Sequence, residues 1–362
     1  MTIAEDRSVG AARATLTRAT RRLLSLQNEQ GWWKGELETN VTIDAEDLFL
    51  RHFLGLLEPG AASQTAAWIR SRQRPDGSWA TYYGGPGDLS TTVEAYTALR
   101  LAGDPADAAH LRRAATFVRD AGGAEASRVF TRMWLALLGL WSWNAVPTLP
   151  PEQILLPTWA PLSVYSFGCW ARQTIVALSI VTALQPAAKV GFAIDELRVG
   201  SQPPVAANDL WGRLFVVLDR VLHVYNRRPV GPARRRALRA AERWVVDRQE
   251  KDGGWGGIQP PWVWSIIALR ALGYPLDHPV IVRALEGLDN FTIADEKGRR
   301  IEACQSPVWD TALALVALLD AGVARKDPAI VKACDWLATQ EVSTRGDWAV
   351  RRRNLAPGGF PF

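Results

Sequence analysis

A run of four residues, DAED, places three carboxylates side by side: Asp44, Glu46 and Asp47. Buried together, such groups repel one another and one pKa rises, which is a route to a strong local acid. On an outer helical surface they are solvated or salt-bridged, and that is the state expected here. The four histidines, His52, His110, His223 and His278, lie far apart, and none has a cysteine or carboxylate at zinc spacing. A D-D-x-x-D run of the magnesium-binding kind does not occur either. Any chemistry is therefore expected to need no metal and no cofactor. Cys169, Cys304 and Cys334 are odd in number and each sits in an apolar context, which predicts buried thiols in a reducing compartment. The aromatic inventory is unusual: 17 tryptophans against 6 tyrosines and 10 phenylalanines.

Helices must position these groups. Residues 95–103 (AYTALRLAG), 132–141 (RMWLALLGLW), 263–274 (VWSIIALRALGY) and 310–322 (DTALALVALLDAG) carry apolar residues at helical spacing, most of them closing near glycine. Strand-like alternation is almost absent. The fold class read from this pattern is all-α, an α/α barrel or helical solenoid. A repeat supports it. Gln27, Gly31 and Trp33 recur at the same Q-x3-G-x-W spacing as Gln73, Gly77, Trp79 and as Gln249, Gly253, Trp255. A stretched fourth copy contains Gln340, Gly346 and Trp348. Glycine allows the tight turn, the Gln amide ties a helix end to backbone, and the indole stacks across the turn. Repeated, the turn clamps adjacent helix pairs.

A chain of 362 residues is long enough for two domains and a substantial core. Its formal charge of +5 and pI near 9.3 suit an anionic membrane or a pyrophosphate without choosing between them. No zinc-finger spacing, RNA-binding motif or long basic run is present, which argues against a nucleic-acid partner. The N-terminus has acidic residues where a secretory signal needs basic ones, so a cytoplasmic protein is expected. Residues 133–151 are uncharged but break at Asn, Ser and Pro, and residues 173–188 are too short to span a bilayer. Residues 210–225, LWGRLFVVLDRVLHVY, have a wide apolar side and are the candidate for contact with a bilayer or a neighbouring subunit.

The repeats, together with LETNVTIDAEDLFLRHF, DLSTTVEAYTALRLAG, SFGCWARQT, DGGWGGIQPPWVWSIIALRALG, SPVWDTALALVALLDAG and GDWAVRRRNLAPGGFPF, resemble the triterpene cyclases, specifically the bacterial squalene-hopene cyclases with their QW motifs. The resemblance runs through essentially the whole chain in collinear order. It implies an α/α barrel (the terpenoid cyclase toroid) over residues 22–308 and the start of a second, catalytic barrel over 309–362, on which residues 1–21 pack. It also implies a cavity walled by aromatic rings, whose quadrupoles stabilise a carbocation without offering a nucleophile. Trp170, Ile258, Pro260, Trp309 and Phe362 fall on the family's cavity and entrance positions; Glu46 falls on an acidic helical position that is structural or entrance-related. The implied substrate is squalene or a similar linear isoprenoid, the implied activity its cyclisation by an isomerase of hopanoid biosynthesis, and the implied location the inner face of the cell membrane, with peripheral contact. The family's general acid is the middle aspartate of a D-x-D-D motif that follows a G-G-F-x-F segment. Here GGFPF occupies residues 358–362 and no D-x-D-D occurs. The expectation is the N-terminal part of such a cyclase with no catalytic acid of its own and inert alone, either a shortened gene product or one subunit of a split enzyme that needs a C-terminal half. The alternative is a non-catalytic isoprenoid-binding or scaffold protein. Apolar faces of the incomplete second barrel would then invite a partner or a homo-oligomer.

Overall fold

The protein is described by a computed structural model covering residues 3–200 and 210–361. The polypeptide divides into two compact units: residues 38–304, and residues 1–37 with 305–362.

The larger unit is a two-layered arrangement of helices. Its inner helices are α2 (Thr42–Leu54), α4 (Leu89–Leu101), α6 (Val129–Leu137), α7 (Cys169–Leu184) and α10 (Gln259–Ala271). Their sequences are mainly apolar or small, as burial on most sides requires, with a few buried charged residues such as Glu46 and Glu94 among them. Every residue of α4 from Ser90 to Leu99 is buried, and so is every residue of α10 from Pro261 to Leu269. The outer helices are α3 (Pro59–Ser71), α5 (Ala109–Asp120), α8 (Leu210–Arg227), α9 (Gly231–Val246) and α11 (Pro279–Asp289). They are amphipathic: α5 buries Leu111, Ala114, Ala115 and Val118, one stripe at i, i+3, i+4, i+7, and points its arginines outward. α2 packs on α4 and α10, α10 on α7, and α6 on α2 and α4; α3 and α5 back onto α4, α9 onto α7, and α11 onto α10. One continuous apolar core fills the inner layer, with Trp134 stacked on Trp264 at 4.6 Å between ring centroids.

Two small antiparallel hairpins interrupt the helical pattern. β1 (Trp79–Ala80) pairs with β2 (Gly87–Asp88), and β3 (Thr292–Asp295) pairs with β4 (Gly298–Ile301). The second was not anticipated. Its turn is made by Gly298, whose φ of 123° a side chain would strain.

The smaller unit holds α1 (Ile3–Ser25), α12 (Pro307–Asp320) and α13 (Pro328–Ala338). Its core gathers Trp33, Ala314, Leu315, Leu318, Ile330 and Ala333.

The three regular Q-x3-G-x-W turns share one geometry. The Gln27, Gln73 and Gln249 amides each donate to the carbonyl of the turn glycine, at 2.8, 2.9 and 3.0 Å. Each also donates to the second residue of a neighbouring helix: Ala329 of α13, His110 of α5 and Val280 of α11, at 2.8, 2.9 and 2.8 Å. The Trp33, Trp79 and Trp255 indoles donate to the carbonyls of Leu23, Ile69 and Val245, all at 2.7 Å. One turn thus caps the helix behind it and pins the start of the neighbouring helix. The stretched copy does not repeat this: Gln340 donates to Thr339, Gly346 is in extended backbone, and Trp348 is exposed.

Candidate active site

Four inner helices bring a pair of carboxyls together in the core of the larger unit. Glu46 comes from α2, Glu94 from α4, Thr131 and Trp134 from α6, and Gln259 from the first residue of α10. Glu46 and Glu94 are 7% and 2% exposed. The Thr131 hydroxyl donates to Glu94, and Arg128 lies close enough to favour its charge. Burial outweighs both and lifts the Glu94 carboxyl to a pKa of about 7. Burial also pushes Glu46 well above the usual carboxylate range, and the charge of Glu94 pushes it further. Trp134 and Gln259 face Glu46 and oppose this rise, without closing to full hydrogen-bond geometry. The Trp134 indole N–H, both polar atoms of the Gln259 amide and the second oxygen of Glu94 thus have no hydrogen-bond partner among the described residues. The arrangement can hold or take up a proton near neutral pH, and it presents polar groups the fold itself does not use.

The rest of the DAED run does structural work. Asp44 accepts hydrogen bonds from the Ile301 backbone N–H at 2.8 Å and the Trp68 indole at 3.1 Å, and burial lifts its pKa to about 7. Asp47 ion-pairs with Arg51 at 2.9 Å and Arg299 at 2.7 Å. Together they fasten β4 to α2 and α3. The expectation of a salt-bridged cluster describes Asp47. Asp44 and Glu46 are instead buried and make no ion pair among the described residues, because α2 is an inner helix that turns both carboxyls into the core.

Three sequence-nominated wall residues belong to this unit. Trp170, in the first turn of α7, is 48% exposed. Its ring edge lies 3.2 Å from where a Cβ on Gly256 would stand, and Gly256 has a φ of 70°. Ile258 caps α10 and forms a β-bridge with Cys304, while the Gln259 N–H donates to the Ala303 carbonyl at 2.8 Å. Pro260 follows in the first turn of α10. The Gly256–Gly257 turn thus holds Trp170 close to the segment that carries Ile258, Pro260 and, between them, Gln259 of the acid pair. Trp309 belongs to α12 of the smaller unit and is 56% exposed. Phe362 lies outside the described residues.

Glu94, Thr131, Trp134 and Gln259 were missed by sequence reasoning. The available signal was a lone Glu94 in an otherwise apolar or small-residue helix and a Gln between two nominated residues. The cysteines need correction. Cys304 is buried, but Cys169 and Cys334 are exposed: Cys169 opens α7 in a first turn that is exposed through Ala171, and Cys334 falls on the outward side of α13.

The chain matches two family models, the squalene-hopene cyclase N-terminal domain over residues 16–297 and the C-terminal domain over residues 305–362. A squalene–hopene cyclase of Alicyclobacillus acidocaldarius is 44% identical over 353 residues, 96% of this chain and 56% of that protein. A squalene–hopene cyclase of Zymomonas mobilis is 38% identical over 96% of this chain and 55% of its own length. A dammaradiene synthase of Dryopteris crassirhizoma is 35% identical, covering 89% of this chain and 48% of that enzyme. The chain spans about half the length of the curated relatives it matches. With the N-terminal domain match alone covering most of its residues, the chain belongs to the squalene-hopene cyclase family.

Proposed function

We propose that this chain takes part in the cyclisation of squalene or a similar linear isoprenoid, supplying one barrel and part of the cavity wall of a hopanoid-forming isomerase. The observation that carries this reading is the match to both domain families, over residues 16–297 and 305–362; Trp170, Ile258, Pro260, Trp309 and Phe362 are the wall residues it proposes. Tryptophan faces stabilise a migrating cation by their quadrupole and do not trap it. In this reading the Glu46–Glu94 pair serves the end of the reaction. When a C–H bond beside the final cation breaks to form an alkene, Glu94 in its ionised form takes the proton, since a pKa of about 7 leaves it partly ionised near neutrality.

Residues 1–362 contain no D-x-D-D acid. In this reading that motif has to come from a complementary C-terminal region before an alkene can be protonated. The test is incubation with squalene followed by mass spectrometry, with and without that region supplied as a second polypeptide. Polycyclic product from the chain alone overturns the dependence. Saturable squalene binding without product in either case favours the second reading, a non-catalytic isoprenoid holder. An exposed apolar stripe on α12, formed by Trp309, Leu313 and Val316, supports a partner or a second copy in either reading.

The reading includes peripheral membrane contact through α8. No described helix is long and apolar enough to cross a bilayer. α8 is built the opposite way to a helix that faces water. On its inward side the Asp219 carboxylate accepts from the Thr148 N–H at 3.1 Å, and Asn226 donates to the Thr182 carbonyl at 3.2 Å. On its outward side Val217, Val221 and Val224 are 54%, 58% and 69% exposed. The side chains of residues 210–216 in the nominated segment lie outside the described residues.

A further inference from the structure

Asp44 and Glu46 stand two residues apart on α2, about 200° around the helix, so their carboxyls leave opposite sides of it. Glu46 meets Glu94, Trp134 and Gln259, while Asp44 looks toward α3 and β4, which pack on α2 and on each other. Donors take both oxygens of Asp44: the Ile301 N–H at 2.8 Å and the Trp68 indole at 3.1 Å. The indole is itself fixed, with the guanidinium groups of Arg72 and Arg300 at 3.9 and 5.0 Å from its ring centroid. The strongest charges on Asp44 are those of Asp47 and Arg299; the strongest on Glu46 are those of Glu94 and Arg128. The two carboxyls therefore answer to different surroundings. A stretch of chain joins them. Residues 301–304 run from Asp44 to the start of α10, with Ile301, Glu302 and Cys304 buried. The Ala303 carbonyl accepts from the Gln259 N–H at 2.8 Å, and Cys304 pairs with Ile258. A first-turn N–H has no partner inside its own helix, so this stretch is what fixes Gln259 from outside.

We infer that Asp44 is a positioning residue for the acid pair: by holding the Ile301 N–H it anchors residues 301–304, and these set where Gln259 stands against Glu46. A carboxylate accepts N–H bonds more strongly than a neutral group does, and a buried one holds its donors with little competition from water. Asp44 is 2% exposed and uses both oxygens on this anchor. The Gln259 side chain has no hydrogen-bond partner of its own among the described residues, so its place is dictated by the backbone that carries it. The assignment rests on the reading that the pair takes the proton at the end of cyclisation. It goes beyond that reading by bringing in a side chain that leaves α2 on the side away from the pair.

The test is nuclear magnetic resonance of the full chain labelled at its indole nitrogens, with the Trp68 and Trp134 signals followed across neutral pH. Trp68 reports on Asp44, and Trp134, which faces Glu46, reports on the acid pair. In Asp44→Asn the Trp68 titration is expected to vanish. The Trp134 midpoint is expected to rise by about half a pH unit, because a displaced Gln259 no longer opposes the protonation of Glu46. Removing a negative charge would by itself move that midpoint down, so the direction separates positioning from charge. A midpoint that stays put or falls overturns the inference. Should Asp44→Asn not fold, hydrogen exchange of the unaltered chain decides: the Ile301 and Gln259 N–H groups are expected to open together, with protection equal within about three-fold, and independent opening overturns the link. Turnover of squalene with the D-x-D-D region supplied then tests the reading beneath. A fall in kcat of about ten-fold at unchanged KM in Asp44→Asn supports both. A raised Trp134 midpoint with unchanged turnover keeps the positioning role and overturns the pair as proton acceptor.

Discussion

Glu94 and Glu46 show how far position overrides residue type. Each is an ordinary carboxylic acid, yet on the inner faces of α4 and α2 burial holds both protonated far above the pH at which they ionise in an unfolded chain. Asp44 behaves likewise. A group whose folded pKa is raised contributes stability that is complete below its unfolded pKa and is lost as pH rises through the folded one. For Glu94 that window runs from its ordinary 4.5 to about 7, and for Asp44 from 3.8 to about 7. Asp76 and Asp104, held below the usual carboxylate range mainly by hydrogen bonds and nearby cations that outweigh desolvation, act in the opposite sense and in more acid solution. Stability measured by denaturant unfolding is therefore expected to fall between about pH 4.5 and pH 7, with a slope of up to roughly 1.4 kcal/mol per pH unit for each such group. Glu94→Gln keeps an acceptor for Thr131, removes one titrating group and relieves the repulsion on Glu46, so its slope is expected to be shallower. An unchanged slope would mean that Glu94 ionises freely in the fold.

At the scale of the element, the Q-x3-G-x-W turn is the joint of the molecule. A Cβ added at Gly31, Gly77 or Gly253 would stand 2.7, 2.6 or 2.0 Å from backbone of the neighbouring helix, and all three glycines have positive φ. Two independent constraints therefore demand glycine: the left-handed backbone and the closeness of α13, α5 or α11. Gly253→Ala is expected to cost roughly 2–4 kcal/mol, since it combines backbone strain with overlap against the Arg283 carbonyl. Gln73→Ala removes the two hydrogen bonds its amide donates and the one it accepts from Arg113 but introduces no clash, and a loss of about 1–2 kcal/mol is expected. Thermal unfolding of the two variants side by side checks the order; equal losses would contradict the geometric account.

The two units differ in how well they bury their own apolar surface. The central inner helices α4 and α10 of the larger unit are buried over most of their length, whereas α12 buries Leu315 and Leu318 and leaves Trp309, Leu313 and Val316 in contact with solvent. Spacings of four and three residues place the exposed trio on one helical face. Such a face promotes association. Sedimentation velocity of residues 1–362 is expected to show concentration-dependent self-association, reduced in a Leu313→Glu, Val316→Glu variant. A chain that stays monomeric at every concentration would show that this stripe is not sticky.

What was legible in the sequence was local. The helical periodicity of α4, α10 and α12 and the spacing of Gln73, Gly77 and Trp79 involve residues within a few turns of one another, so backbone preference and hydrophobic pattern reveal them directly. The β3–β4 hairpin was less so, because its two strands of four residues offer too few alternations to register against the helical background. The acid pair could not be read at all. Glu46, Glu94, Thr131 and Gln259 are separated by tens of residues and meet only because four helices turn their faces to a common interior; their proton affinity comes from the dielectric of that interior. The same holds for Asp44 against Ile301, for the exposed Cys169 and Cys334, and for the outward valines of α8. The sequence by itself determined which segments are helical, where the repeated turns lie and which family the motifs resemble. Only the tertiary structure decided which faces are inside, and with them which charged side chains are forced to keep their protons and which are left to meet a partner.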